Sequence, residues 1–499
     1  VCGTEGRQFE SALVYQKMQK EKKLKPSKEL PSGFIDRQEK ELLIRDFVIS
    51  NIKEVMIKYG FQYLETPSFE YTDSIGKFLP DKERPGEGVF SFEDENRWIS
   101  LRYDLTAPLA RYVAKNYNEI PKPFKRYQLG TVWRNEKPGP GRYREFLQFD
   151  ADYVGTNNLQ ADAELCILIS EILERCGLDK SDYIVNISSR KFTDNLFKKL
   201  NIISDEQKTT TLRALDKIER LGWIEVQKLL GEGRKDKSGD YTKGANLKND
   251  QIKIIEKALK NNEPDTEDVL EIINIFNAYN FKNYKFDPSI IRGLEYYTGP
   301  IFEVNLKFDV KNLKGQNIQF GSIGGGGRYD NLVSNFGNLD YPATGISIGL
   351  DRLVFALMQK KDFKLKSTRP IMICVFDKNN IKQYVEILNK LRESNISSEI
   401  YPGEGKLKKQ MEYANKINSL PEIRGFLPPQ RGYVERLLVY RNTQASSYDS
   451  LGEAQRVALE HPEVTAIVEY NGMYSLRKDT RIIIRPESDE KMEVVYMKI

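Results

Sequence analysis

Between Asp36 and Gly60 apolar residues return every three or four positions. Leu43, Phe47, Val48, Ile52, Val55 and Met56 fall on one stripe, which predicts an amphipathic helix closed at Gly60. The next residues, Phe61-Gln62-Tyr63-Leu64-Glu65, alternate with period two and stop at Pro67, as a strand does. Lys125 to Tyr153 reads as two strands around a turn containing Pro138, Gly139, Pro140 and Gly141, hence a long antiparallel hairpin. Helical spacing resumes from Leu159 to Cys176 and ends at Gly177. Tyr183 to Ser188 is the next strand.

Residues 190–285 change character. They are rich in Lys, Asp, Glu and Asn with mostly helical spacing, which predicts an inserted helical domain. Strands are expected near Ile290, at Ile301–Val304 and at Ile318–Ile323. A glycine-punctuated strand over Thr344–Leu350 runs into a helix, Asp351–Met358. A charged linker covers 361–369. Beyond it, Ile371–Phe376, Ile381–Ser394, Ser398–Tyr401 and Lys406–Ile417 alternate strand and helix, the pattern of a small α/β domain. The predicted division is a lysine-rich extension (1–30), a core (31–189), the insertion (190–285), the core resumed (286–360), the linker and a terminal domain (370–499). The fold class is α/β, with an α+β core.

Composition narrows the function. A chain of 499 residues exceeds one ordinary core. Hydrophobic residues at 39% and charged residues at 30% fit a globular protein rather than a disordered one. No apolar run approaches bilayer length, and Val1 to Lys25 carries no apolar signal core, so no membrane partner and a cytoplasmic location are expected. Cys2, Cys166, Cys176 and Cys374 lack metal-ligand spacing and read as thiols of a reducing compartment. The net charge of +5 permits nucleic-acid binding without requiring it. The single histidine, His461, lies far from every motif, which argues against histidine acid–base catalysis and His-rich metal sites.

Three segments concentrate glycines, arginines and aromatics. They are Trp133-Arg134-Asn135-Glu136 with Gly141-Arg142-Tyr143-Arg144-Glu145-Phe146-Leu147-Gln148, then Arg292-Gly293-Leu294-Glu295-Tyr296-Tyr297-Thr298-Gly299, then Gly349-Leu350-Asp351-Arg352. A guanidinium fork matches phosphate oxygens, and aromatic faces take a base or an imidazole. The run Gly324-Gly325-Gly326-Gly327 lacks the Lys-Ser/Thr ending of a P-loop, and taken alone it is explained better by a close backbone approach than by a phosphate cradle.

Together these segments resemble the class II aminoacyl-tRNA synthetases, and among them the histidine-specific group. Leu64-Glu65-Thr66-Pro67-Ser68-Phe69-Glu70 resembles motif 1, Trp133 to Gln148 motif 2, and Thr344 to Arg352 motif 3. Arg292–Gly299 and Gly326-Gly327-Arg328-Tyr329-Asp330 resemble the two histidine-specific signatures. The resemblance implies a catalytic antiparallel sheet flanked by helices, a homodimer with Pro67 at its interface, and an anticodon-binding-like C-terminal domain. It implies ATP with Mg²⁺, L-histidine and a histidine-specific tRNA as ligands, and no protein-bound metal. Arg134 and Arg292 are the implied catalytic cations. Arg134, Glu136, Arg142, Phe146 and Arg352 are implied for ATP. Histidine falls to Asp104, Leu105, Thr106, Arg134, Gln148, Asp152, Arg292, Tyr296, Tyr297 and Tyr329. Core packing is the other reading of Tyr296, because its neighbour Tyr297 faces the opposite way.

The chain departs from the pattern twice. Gly139 stands where most bacterial relatives have a glutamine directed at the 5′ end of the acceptor stem, and 419–474 does not align with the family's last domain. Two other readings exist: an inactive paralogue serving as a histidine-sensing regulatory subunit of histidine biosynthesis, and a class II enzyme for another amino acid. The C-terminal domain and the intact Arg292–Gly299 segment favour the histidine–tRNA ligase.

Overall fold

Helix α1 (Glu39–Lys58) buries Ile44, Val48, Ile52, Val55 and Met56. The stripe is rotated slightly from the sequence expectation, with Ile44 fully inside and Leu43 and Phe47 only partly covered. The computed structural model describes residues 28–76, 88–236, 239–261, 263–291, 297–312, 314–318, 320–336, 341–360, 363 and 370–417. It also describes 430–432, 452, 454, 466–470, 473–477 and 493–497. Expectations for 1–27 and for most of 361–369 fall outside these residues. The chain divides into two compact units, Val1–Leu365 and Lys366–Ile499.

The first unit is organised by an eight-stranded sheet. Its strands are β1 (Gln62–Tyr63), β5 (Phe124–Trp133), β6 (Glu145–Val154), β7 (Tyr183–Ser189), β8 (Tyr284–Phe286), β9 (Pro300–Leu306), β10 (Ser322–Arg328) and β11 (Ala343–Gly349). A separate small sheet holds β2 (Phe69–Tyr71), β3 (Ser91–Asp94) and β4 (Arg97–Leu101). The spatial order of the large sheet is β1-β5-β6-β11-β10-β9-β7-β8. Its six central strands are antiparallel, and β1 and β8 add to the two ends in parallel. The hairpin β5–β6 pairs Phe124 with Val154 through Trp133 with Glu145, so the expected hairpin forms at nearly full length.

One face of this sheet carries the main core. Phe149, Ala151 and Tyr153 of β6 meet α1, α3 (Leu159–Arg175), α4 (Glu267–Ala278) and α5 (Leu350–Gln359). Helix α3 starts where the Asn158 side chain accepts the Gln160 N–H at 2.9 Å, and it stops at Gly177, whose φ of +92° favours a residue without Cβ. The other face is left to polar chemistry. At its edge, α2 (Thr106–Lys115) packs Leu109, Ala110 and Val113 against Tyr329, Leu332 and Val333.

Within 190–285, a second core gathers Leu196, Phe197, Leu212, Leu215, Val226, Leu229, Leu230, Ile252 and Ile255. Helix α4 and strand β8 instead join the main core and the large sheet. The strand expected near Ile290 ends earlier, at Phe286. Asp287 turns the chain there, its carboxylate accepting from the Ser289 N–H at 2.9 Å and the Ser289 hydroxyl at 2.6 Å.

In the second unit, β12 (Ile371–Ile373) and β13 (Ser398–Ile400) pair in parallel, with α6 (Ile381–Glu393) between them and α7 (Leu407–Lys416) after them. That is the expected alternation. Beyond Ile417, where the sequence pattern breaks off, Gln430–Gly432, Ala466–Tyr470, Met473–Arg477 and Glu493–Met497 form a four-stranded antiparallel sheet.

Candidate functional site

Period two on β6 lays out the site. With Phe149, Ala151 and Tyr153 turned into the core, Phe146, Gln148, Asp150 and Asp152 share the opposite face. On β5, Gly130, Gln128 and Arg126 stand across from Gln148, Asp150 and Asp152. On β11, Gly349, Ser347 and Gly345 do the same from the other side. Gly345 is required by this arrangement, because a Cβ there would collide with Asp152 Oδ1. The glycine run of β10 lies between β9 and β11. A Cβ on Gly326 would strike the Gly345 carbonyl, and one on Gly327 would lie 2.5 Å from the Pro300 oxygen and 3.0 Å from the Tyr297 ring. Close backbone approach, not a phosphate cradle, accounts for those glycines.

One end of the face is acidic. Asp104 Oδ1 accepts the N–H groups of Thr106 (3.1 Å) and Ala107 (2.9 Å) at the start of α2. The Thr106 hydroxyl donates to Asp150 Oδ2 at 3.3 Å, and Gln148 Nε2 donates to Asp150 Oδ1 at 2.7 Å. The Tyr329 hydroxyl donates to Asp152 Oδ1. Arg126, fully buried, sets Nε 3.2 Å from Asp152 Oδ2 and donates from Nη2 to the Leu105 carbonyl at 2.8 Å. Leu105 thus contributes through its backbone, its side chain being buried. Burial pushes the Asp152 carboxyl up to about 6; Arg126 opposes this and Asp150 adds to it. Burial also raises Asp104, against the Ala107 amide.

The other end is cationic and aromatic. The Arg134 guanidinium lies 4.5 Å from the Tyr103 ring centroid and 5.2 Å from that of Phe146. Its Nε donates to the Tyr103 carbonyl at 3.2 Å, and Nη2 reaches Gln148 Oε1 at 3.5 Å. The Tyr103 hydroxyl donates to Glu136 Oε1 at 2.8 Å. Burial lifts that hydroxyl above the ordinary tyrosine range; Arg134 opposes this and Glu136 adds to it. Arg134 therefore joins the two ends, touching Gln148 on one side and aromatic rings on the other.

The third motif closes the site from β11 and α5. Asp351 Oδ2 accepts the Leu147 N–H at 2.6 Å, fastening α5 to β6. Arg352 Nε donates to the Ser322 carbonyl at 2.9 Å, Nη2 donates to the Phe320 carbonyl, and the guanidinium lies 4.3 Å from the Phe320 ring centroid. The hairpin loop comes to the same place, since Gly141 packs against Phe320. Arg142 is exposed on that loop, which is closed by Gly139 N–H to the Arg142 carbonyl at 3.0 Å and the reverse bond at 2.8 Å.

The structure thus gathers Asp104, Leu105, Thr106, Arg134, Glu136, Phe146, Gln148, Asp152, Tyr297 and Tyr329 around one face, with Arg352 against Phe320 and Arg142 exposed on the loop whose Gly141 packs against the same ring. Arg292 and Tyr296 lie outside the described residues. Pro67 is exposed; its carbonyl lies 3.4 Å from Arg102 Nη1, which also holds the Thr66 carbonyl at 2.7 Å. Sequence reading missed Arg126, Gln128 and Asp150, although period two from Gln148 and Asp152 points to Asp150 and, across the hairpin, to the other two. It also missed Tyr103, the neighbour of Asp104. Among the described residues no group of three or more His, Cys, Asp or Glu side chains is placed to hold a metal.

Comparison with known proteins identifies the family. The family model described as histidyl-tRNA synthetase matches residues 33–353. The histidine–tRNA ligase of Bartonella quintana (strain Toulouse) is 45% identical over 425 residues, covering 79% of this chain and 85% of the relative. That of Bartonella henselae is 44% identical over 424 residues, with 79% and 86% covered. The crystal structure of histidyl-tRNA synthetase from Nostoc sp. PCC 7120 superposes with a TM-score of 0.60 at 25% identity, covering 79% of this chain and 90% of that one. On these grounds the chain belongs to the histidyl-tRNA synthetase family.

Proposed function

We propose that the β6 face binds L-histidine at its acidic end and ATP at its arginine end, so that the two react beside Arg134. The chain is an aminoacyl-tRNA synthetase that joins histidine to tRNA, using ATP. The histidine carboxylate attacks the α-phosphorus, an oxygen–phosphorus bond forms, and pyrophosphate leaves. The histidyl group then passes to the tRNA 3′ end and AMP is released. The observation that carries the assignment of roles is the position of Arg134, bonded to Gln148 and flanked by Tyr103 and Phe146. A fixed cation there stabilises charge building on the phosphorus oxygens without rearranging.

In this reading Asp104, Thr106 and the Leu105 backbone hold the ammonium. Gln148, Asp152, Tyr297, Tyr329 and Tyr296 surround the imidazole. Glu136 and Phe146 take the adenine, Arg142 and Arg352 the distal phosphates, and Arg292 works with Arg134 on the reacting groups. Groups made for both ring nitrogens reject amino acids that would leave them unpaired. Mg²⁺ is proposed to arrive with ATP. Among the described residues no three His, Cys, Asp or Glu side chains are placed to hold it.

The proposed assembly is a homodimer formed around Pro67. Supporting it, the adjoining small sheet exposes Phe69 (50%), Tyr71 (44%), Phe92 (45%) and Trp98 (57%), a cluster of aromatics that water does not favour. No helix among the described residues is long and apolar enough to cross a membrane. A cytoplasmic site of action is proposed from the thiol usage and the tRNA substrate. The C-terminal unit is proposed to bind the anticodon. The name carried by relatives at 44–45% identity does not favour the regulatory-subunit alternative.

The test is ATP–pyrophosphate exchange with each amino acid in turn. Histidine alone should support it, and Arg292→Ala should slow it by about a hundredfold or more, the size of a lost transition-state charge partner. Exchange with another amino acid, or wild-type exchange in that variant, would refute the corresponding part.

A further inference from the structure

Behind the imidazole end lies a cation that the reaction itself does not use. Arg126 is 0% exposed, as deep as any side chain in the core. It stands directly across the β5–β6 ladder from Asp152, so both side chains leave the sheet on the same face. Its guanidinium is anchored at both ends of the pocket, by the Asp152 carboxylate at 3.2 Å and by the Leu105 carbonyl at 2.8 Å. Leu105 lies between Asp104 and Thr106. One side chain therefore spans from the segment proposed for the ammonium to the carboxylate proposed for the ring. A buried guanidinium is costly unless its position is used, and here Nε and Nη1 are both left without a hydrogen-bond partner, the tie to Asp152 Oδ2 being an ion pair.

We propose that Arg126 is a specificity-determining positioning residue for histidine: it keeps Asp152 ionised and fixed, so that Asp152 accepts from both the Tyr329 hydroxyl and an imidazole N–H. The inference rests on the reading that Asp152 faces the imidazole.

The groups around Asp152 explain why a cation is needed. Asp150 is two residues along the same strand, Asp104 adds a third carboxylate, and Tyr329, just after β10, donates a hydroxyl. Burial and two neighbouring carboxylates favour the protonated form of Asp152, and Arg126 is the opposing charge. A protonated Asp152 would present an O–H where the imidazole N–H needs an acceptor. The carboxylate has little room to turn beside Gly345; Tyr329 holds Oδ1, while Oδ2 lies in the ion pair with Arg126 and has no hydrogen-bond partner, which leaves it to accept an imidazole N–H. In this arrangement Arg126 touches neither histidine nor ATP. It acts through Asp152 and through the Leu105 carbonyl.

The experiment measures KM and kcat in ATP–pyrophosphate exchange against pH, on the full chain. Substrates are histidine and a triazole analogue of histidine, whose ring takes up no proton near neutrality. The variants are Arg126→Lys and the charge-free pair Arg126→Met with Asp152→Asn, which keeps the protein folded should the single change not. For Arg126→Lys we expect KM for histidine to rise about tenfold or more, KM for ATP to stay within about twofold, and the acid limb of kcat/KM for the analogue to move to higher pH. For the pair we expect weak histidine use and loss of that limb. Arg126→Lys with wild-type KM for histidine and an unmoved limb overturns the inference. So does a pair that keeps the limb, which would place the titration on Asp104 or Asp150. If the pair instead keeps wild-type KM for histidine, the Asp152 reading itself fails.

Discussion

Arg37 Nε donates to Asp351 Oδ1 at 2.7 Å, joining residues 314 positions apart, while the other Asp351 oxygen takes the Leu147 N–H at 2.6 Å. The carboxylate is almost fully enclosed, 1% exposed against 13% for Arg37. A single side chain of the third motif thus fixes both the approach to α1 and the strand that displays Phe146 and Gln148.

Asp351→Ala should therefore cost about 1–3 kcal/mol of stability, because it leaves the Leu147 N–H without its acceptor and takes one partner from Arg37, which keeps Glu41 at 3.5 Å and the Glu145 carbonyl at 3.1 Å. Chemical denaturation would measure this. A loss below about 1 kcal/mol would mean that water replaces the carboxylate without penalty.

Arg134→Ala should lower histidine-dependent exchange by about a hundredfold or more through kcat. Tyr103→Phe removes only the bond to Glu136 and leaves the ring under Arg134. It should change kcat by less than about tenfold and act mainly on KM for ATP. Steady-state kinetics of both variants separate the two roles. Equal losses in both would argue that the ring and its hydroxyl work as one unit.

The pH dependence of stability follows from Asp152, whose carboxyl burial pushes up from the ordinary 3.8 to about 6. The folded state holds this proton more tightly than the unfolded state. Its contribution is present in full below pH 3.8 and is lost as pH rises through about 6. Wild type should therefore lose stability relative to the pair Arg126→Met with Asp152→Asn between about pH 4 and about pH 6.5, with no further relative change above. Denaturation midpoints across that range test it, and a relative gain over the same range would reverse the assigned direction.

Gly139 lies at the closed end of the β5–β6 loop, and a Cβ built on it meets nothing within 4 Å. With no side chain there to read the acceptor end, charging should not depend on the extra 5′ guanosine of most bacterial histidine tRNAs. Discrimination at that end should fall to Arg142, Arg144 or backbone contacts. One lost base contact is worth about 1–3 kcal/mol. Because the space is open, Gly139→Gln should fold normally and gain some preference for that nucleotide. The check is charging of two transcripts differing only there; a strong requirement in the wild type would assign the reading to another residue.

The exposed aromatics of the small sheet predict the last outcome. Trp98→Glu with Phe69→Glu should shift a dimer toward monomer in light scattering at micromolar concentration, without unfolding the chain. These rings are 57% and 50% exposed and carry little of the protomer's own core. A wild type that is monomeric at that concentration would remove the proposed interface.

What the sequence determined by itself was local and periodic. The stripe on α1, the hairpin β5–β6 and the strand-to-helix passage from β11 into α5 follow from apolar spacing and turn chemistry, which act over a few residues. The motif arginines were legible for the same reason, as residue types in short segments. Tertiary structure decided the rest. Ile44 rather than Leu43 faces inward because packing sets the rotation of α1. Asp150 and Arg126 became part of the site only when β5, β6 and β11 came into register, since pairing across strands belongs to no single segment. The glycines of β10 suggested a close backbone approach in sequence, but only the fold named what approaches them, the Gly345 carbonyl and the Tyr297 ring. Spacing along a chain specifies faces, but only the register between chains of residues far apart specifies which charges meet.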